Sequence, residues 1–99
     1  MTKIESVPEM AKPKFWLGRL AVTANAEAEL DPEDIHNAIN HHCVGDWGDL
    51  CPDDKEANEQ ALLFGGRLFS AYHDRKGVKF WIITEADRSV TTVLLPEDY

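Results

Sequence analysis

With 99 residues, 43% of them hydrophobic, the chain has the size and composition of one folded domain. Its formal charge of −8 at pH 7 argues against a nucleic-acid partner. No apolar run approaches the ~20 residues of a membrane span, and no apolar signal core opens the chain, so a cytoplasmic protein is expected.

Residues 1–13, with Pro8 and Pro13, read as a flexible arm, and 14–99 as a single α+β domain. Lys14–Thr23 (KFWLGRLAVT) is a strand candidate, with apolar Phe15, Leu17 and Leu20 or Val22 and with Gly18 marking a bulge or bend. Asn25–Leu30 leads into a helix start, where Asp31 is the N-cap, Pro32 the first helical residue, and Glu33 and Asp34 complement the helix dipole. Ile35, Ala38, Ile39 and His42 share one face of that helix, which should stop by Gly45. Val44–Leu50 (VGDWGDL) reads as a turn. A second helix begins near Pro52, with Ala57, Ala61 and Phe64 as a narrow apolar stripe that Leu62 and Leu63 broaden, and Gly65-Gly66 stops it.

Three strands follow: Arg67–His73, Val78–Thr84 and Val90–Leu95, all rich in β-branched and aromatic residues. Asp74-Arg75-Lys76-Gly77 suits a type I turn between the first two, and Glu85–Ser89 a longer loop between the last two. The expected order is β-α-α-β-β-β, with two helices packed on an antiparallel sheet that ends in a three-stranded meander. Its core should hold Leu17, Ile35, Ile39, Ala61, Leu62, Phe80, Ile82, Val93 and one of Leu94 and Leu95.

Charge is unevenly distributed. Between Ala26 and Gln60 eleven acidic residues face Lys55 alone, a net −10, whereas residues 61–99 balance at zero. Such a segment attracts a basic partner, and its candidate contact residues are Glu33, Asp34, Asp46, Trp47, Asp49, Asp53, Asp54 and Glu56. Trp47, between two glycines, either forms part of that surface or plugs the edge of the core. A strand at the sheet edge offers unpaired backbone groups to a second copy, which leaves room for a homodimer.

His36, His41, His42, Cys43 and Cys51 could suggest zinc, but neither CxxC nor HxxxH is present and adjacent helical histidines point about 100° apart. No metal, no other cofactor and no structural disulfide are expected. Arg88, flanked by Glu85 and Asp87, reads as a local salt-bridge partner. Polar groups of the strands, with His42 of the first helix, admit a catalytic alternative. His42 or His73 would serve as acid–base group, Lys79 would stabilise phosphate charge, and Thr84 or Thr92 would position it.

The run from Gly45-Asp46-Trp47-Gly48 through Ile83-Thr84-Glu85-Ala86-Asp87-Arg88-Ser89-Val90-Thr91-Thr92-Val93-Leu94-Leu95-Pro96 resembles a group of small bacterial proteins often met on plasmids and other mobile elements. That resemblance implies an origin but no activity. More broadly, helices followed by a meander ending in Trp81, Thr84, Thr91, Thr92 and Pro96 are similar to the barnase–colicin–RelE class of RNase folds. This second resemblance implies a site on the open sheet face and nominates His42, Lys79, Thr84 and Thr92, although RelE-like toxins are basic and this chain is acidic. The expectation is therefore a non-enzymatic accessory protein acting through its acidic helical segment, with an RNase-like or RNA-binding domain as the alternative.

Overall fold

A computed structural model describes residues 12–99 of the chain. Residues 1–11, the bulk of the expected arm, lie outside them. The order is β1 (Arg19–Val22), α1 (Ala24–Glu29), α2 (Pro32–Cys43), α3 (Pro52–Phe64), β2 (Leu68–His73), β3 (Lys79–Thr84), β4 (Val90–Leu94) and a 3-10 turn, Pro96–Asp98. The α+β class and the C-terminal meander are as the sequence suggests. Two features differ.

The first is α1. It forms where only a lead-in was expected, because Thr23 accepts the Ala26 amide as N-cap and Ala26 packs into the core with no exposed surface. The Thr23 hydroxyl also donates to Asp98 Oδ2 at 2.6 Å, and Asn25 Nδ2 donates to Asp98 Oδ1 at 2.7 Å, tying the helix start to the C-terminal turn.

The second is the sheet, which is mixed and runs β1-β4-β3-β2. Only the meander is antiparallel, and β1 lies parallel to β4 with Leu20 opposite Thr91 and Val22 opposite Val93. The expected strand Lys14–Thr23 shortens to Arg19–Val22 because Gly18, at φ +67°, turns the chain against the loop before β4. A Cβ at Gly18 would lie 2.4 Å from the Arg88 and Ser89 carbonyl oxygens, so only glycine fits this crossing.

Strand alternation then divides the side chains. Tyr72, Phe80, Ile82 and Val93 face α1 and α2 and form the main core with Ala26, Leu30, Ala38 and Leu95. Ile35 and Ile39 pack against it half-buried, as does Leu62 against a smaller cluster of Trp47, Ala61 and Leu68. The narrow stripe of α3 turns in only Asn58 and Ala61, leaving Leu63 and Phe64 exposed contrary to expectation.

The outer edge of β2 is closed by side chain and loop. Asn58 of α3 donates to the Phe69 carbonyl at 2.6 Å and accepts the Phe69 amide at 3.1 Å, reproducing the bonds of a neighbouring strand. Further along, Trp47 and Asp49 bond the Ala71 amide and carbonyl from the Gly45–Asp49 loop. The β2–β3 turn follows its sequence signals: Asp74 Oδ1 accepts the Lys76 and Val78 amides, and Gly77 takes φ +86°.

Candidate functional site

His42, near the C-terminal end of α2, is fully buried and lies at the centre of a chain of polar groups beneath the sheet. Its Nδ1 lies 2.5 Å from Ser70 Oγ on β2, and its Nε2 lies 2.9 Å from Thr84 Oγ1 on β3. Thr84 in turn lies 2.7 Å from Thr91 Oγ1 on β4, whose hydroxyl donates to the Leu17 carbonyl at 2.6 Å. A carbonyl only accepts, which orients the protons from Thr91 back to His42 Nε2. Thr91 donates to Leu17, so Thr84 donates to Thr91, and Thr84 must accept from His42 Nε2–H. The row thus places a proton on Nε2, and in the neutral ring Nδ1 accepts from Ser70.

Electrostatics agree with that assignment. Burial, and secondarily the positive charge of Arg88, push the His42 pKa down to about 3. Phe15 and Trp47 seal the ring, both edge-on, at centroid distances of 5.3 and 5.6 Å. Ser70, His42 and Thr84 have the order of nucleophile, base and orienting group. All three are 0% exposed, however, and the orienting group is a neutral hydroxyl that does not compensate an imidazolium. The row holds the three meander strands against α2 and presents no atom to a substrate.

The Gly45–Asp49 loop is fastened from three sides. His41 Nδ1 contacts Asp46 Oδ2 at 2.8 Å, His73 Nδ1 contacts Asp49 Oδ2 at 2.7 Å, and the buried Tyr72 hydroxyl donates to the Asp46 carbonyl at 2.6 Å. Trp47 is the plug: 3% exposed, it donates Nε1–H to Glu59 on α3. Trp47 thus has no free surface for a partner, which removes it from the eight nominated contact residues.

Asp34 leaves the set for the same reason. Its carboxylate is fully buried and accepts the Arg75 backbone amide at 2.8 Å and the Arg75 side chain at Nε and Nη2, while Arg75 Nη2 also reaches Glu33 at 2.6 Å. This clasp joins the start of α2 to the β2–β3 turn, and its carboxylates raise the Arg75 pKa, Asp34 most of all. Glu33, Asp46 and Asp49 keep exposed surface but are each engaged within the fold. Asp53, Asp54 and Glu56 remain. All three are exposed in the first turns of α3, and none forms an ion pair among the described residues.

The residues of the catalytic alternative are not brought together. His42 and Thr84 touch each other on the covered side of the sheet, whereas His73, Lys79 and Thr92 alternate to the other side. Arg88 is not a local salt-bridge partner either. At φ +61° it directs its guanidinium to the Gly66, Glu85 and Ala61 carbonyls and lies 5.8 Å from the Phe15 ring, so it caps the end of α3. Cys43 is buried and Cys51 exposed, both as free thiols, and no group of three His, Cys, Asp or Glu side chains converges among the described residues.

Ser70 and Asn58 escaped the reading of the sequence, and Thr91 entered it only as part of the C-terminal threonine pattern, without a role in the site. Ser70 and Thr91 interrupt otherwise apolar inward positions of their strands, the one signal that could have marked them as partners of a buried polar group. Asn58 gave no signal, because its role depends on where α3 meets the sheet edge.

The chain matches no protein-family model, and comparison with curated proteins and with solved structures finds no significant match. No helix among the described residues is long and apolar enough to cross a membrane.

Proposed function

We propose that the chain is a non-enzymatic accessory protein, of bacterial or mobile-element origin, that works by protein–protein contact through the first turns of α3. The observation that carries this reading is the disposition of the acidic residues. The fold ties Asp31, Glu33, Asp34, Asp46, Asp49 and Glu59 to other elements through ion pairs and hydrogen bonds, while Asp53, Asp54 and Glu56 are exposed in the first turns of α3, where Glu56 accepts only from Gln60 one turn along the same helix. A basic surface is the complementary partner, steered by charge at long range.

The test is capture from an extract of the source cell by the wild-type protein and by the variant Asp53→Lys/Asp54→Lys/Glu56→Lys. Far-ultraviolet circular dichroism establishes that the variant is folded. The expected result is loss of the wild-type partners from the variant, and recovery of the same partners by both proteins refutes the proposal.

A further inference from the structure

The side of the sheet away from α1 and α2 carries a groove of about 280 Å³ lined by Arg67, Phe69, Trp81, Ile83 and Tyr99. Its walls are aromatic and mutually braced: Phe69 meets Trp81 edge-on at 5.1 Å, Trp81 meets Tyr99 at 5.9 Å, and the Arg67 guanidinium lies 5.8 Å from the Tyr99 ring. Close by in sequence, the last turn of α3 holds Leu63 and Phe64 out in solvent, 74% and 81% exposed. Isolated exposed apolar residues are ordinary, but two adjacent large ones a few residues in sequence from the rim of an aromatic groove are a donor and acceptor of matched chemistry.

Gly65 and Gly66 alone separate Phe64 from Arg67 at the groove rim. Phe64 and the groove of the same chain point into solvent, so the match is made between copies. We infer that the chain forms a twofold dimer in which Phe64 of each copy, flanked by Leu63, seats in the aromatic groove of the other.

Charge selects a second copy as the occupant. Ala61–Gly66 carries no charge and the one charged residue lining the groove, Arg67, is paired with Glu85, so here a chain of −8 approaches itself with little repulsion. The rim carries both signs, Arg67 and Glu85 at 3.5 Å, and a twofold axis sets each Arg67 within the field of the other copy's Glu85. The acidic turn of α3 lies roughly 15 Å along the helix from Phe64, at 1.5 Å rise per residue, and stays free in the dimer. Dimerisation and the α3 contact are therefore separable.

Sedimentation equilibrium tests the inference with two variants at exposed positions. Phe64→Asp removes the donor and leaves the groove, whereas Tyr99→Asp spoils the groove and leaves the donor. The expected results are a wild-type dimer, a monomer for each variant alone, and a heterodimer when the two variants are mixed, because one Phe64 and one intact groove remain. A monomeric wild type, a Phe64→Asp protein that still dimerises, or variants that fail to associate on mixing would each overturn it.

Discussion

His42 is neutral in the folded protein because burial strips an imidazolium of its solvation and the positive charge of Arg88 opposes it. The consequence for stability is fixed in direction. The folded pKa lies near 3, below the ordinary histidine value of 6.5, so between those limits the unfolded chain binds a proton that the folded chain refuses. His42 therefore weakens the fold as pH drops below 6.5, by about 2 kcal/mol at pH 5. His42→Gln keeps a donor for Thr84 and an acceptor for Ser70 but does not titrate. Urea unfolding at pH 7 and pH 5 should give a smaller loss for His42→Gln than for the wild type, and equal losses would place the proton elsewhere. Thr84→Val leaves the His42 Nε2–H without an acceptor, which costs about 1–3 kcal/mol measured in the same way. The helix face containing His42 was readable from the i, i+3, i+4, i+7 spacing. Its buried partners were not, since they come from three strands 28 to 49 residues away.

At the scale of elements, the edge of β2 is where the architecture is most exposed to single changes. Asn58→Ala strips the Phe69 peptide of two bonds and should cost about 1–3 kcal/mol. Hydrogen exchange reads this directly: the Phe69 amide should exchange faster than its neighbours in β3, and unchanged protection would mean that solvent or another group replaces Asn58. Gly48 closes the rest of the edge at φ +75°, where a Cβ would come within 2.0 Å of the Ala71 carbonyl oxygen and 2.7 Å of the Tyr72 ring. Gly48→Ala should free the loop at a cost of about 1–3 kcal/mol from backbone strain alone, visible as a red shift of Trp47 fluorescence in a Trp16→Phe/Trp81→Phe background. The meander, its first turn and the starts of α2 and α3 were legible because their signals are local: alternation, Asp and Gly at turn positions, Asp31-Pro32 and Pro52-Asp53-Asp54. The short α1, the parallel β1 and the exposed end of α3 were not, because each is decided by what it meets across the fold. Ala26 forms a helix by fitting under the sheet, and Leu63 and Phe64 stay out because Asn58 and Ala61 already occupy the contact.

For the whole molecule, charge is partitioned between structure and surface. Of the eleven acids in the −10 segment, six are tied to other elements of the fold, Glu27 and Glu29 lie exposed on α1, and Asp53, Asp54 and Glu56 are grouped in solvent at the start of α3. The trio at the start of α3 is the surface a basic partner would meet, and ionic strength probes it, since attraction between exposed charges is screened over about 8–10 Å at physiological salt. The decisive measurement is the affinity of the captured partner across a salt series for the wild type and for Asp53→Asn/Asp54→Asn/Glu56→Gln, which removes charge with little change of shape. Wild-type affinity should fall steeply with salt, while the neutralised variant should bind weakly and almost independently of it. Parallel salt dependences with equal affinities would contradict contact through this surface.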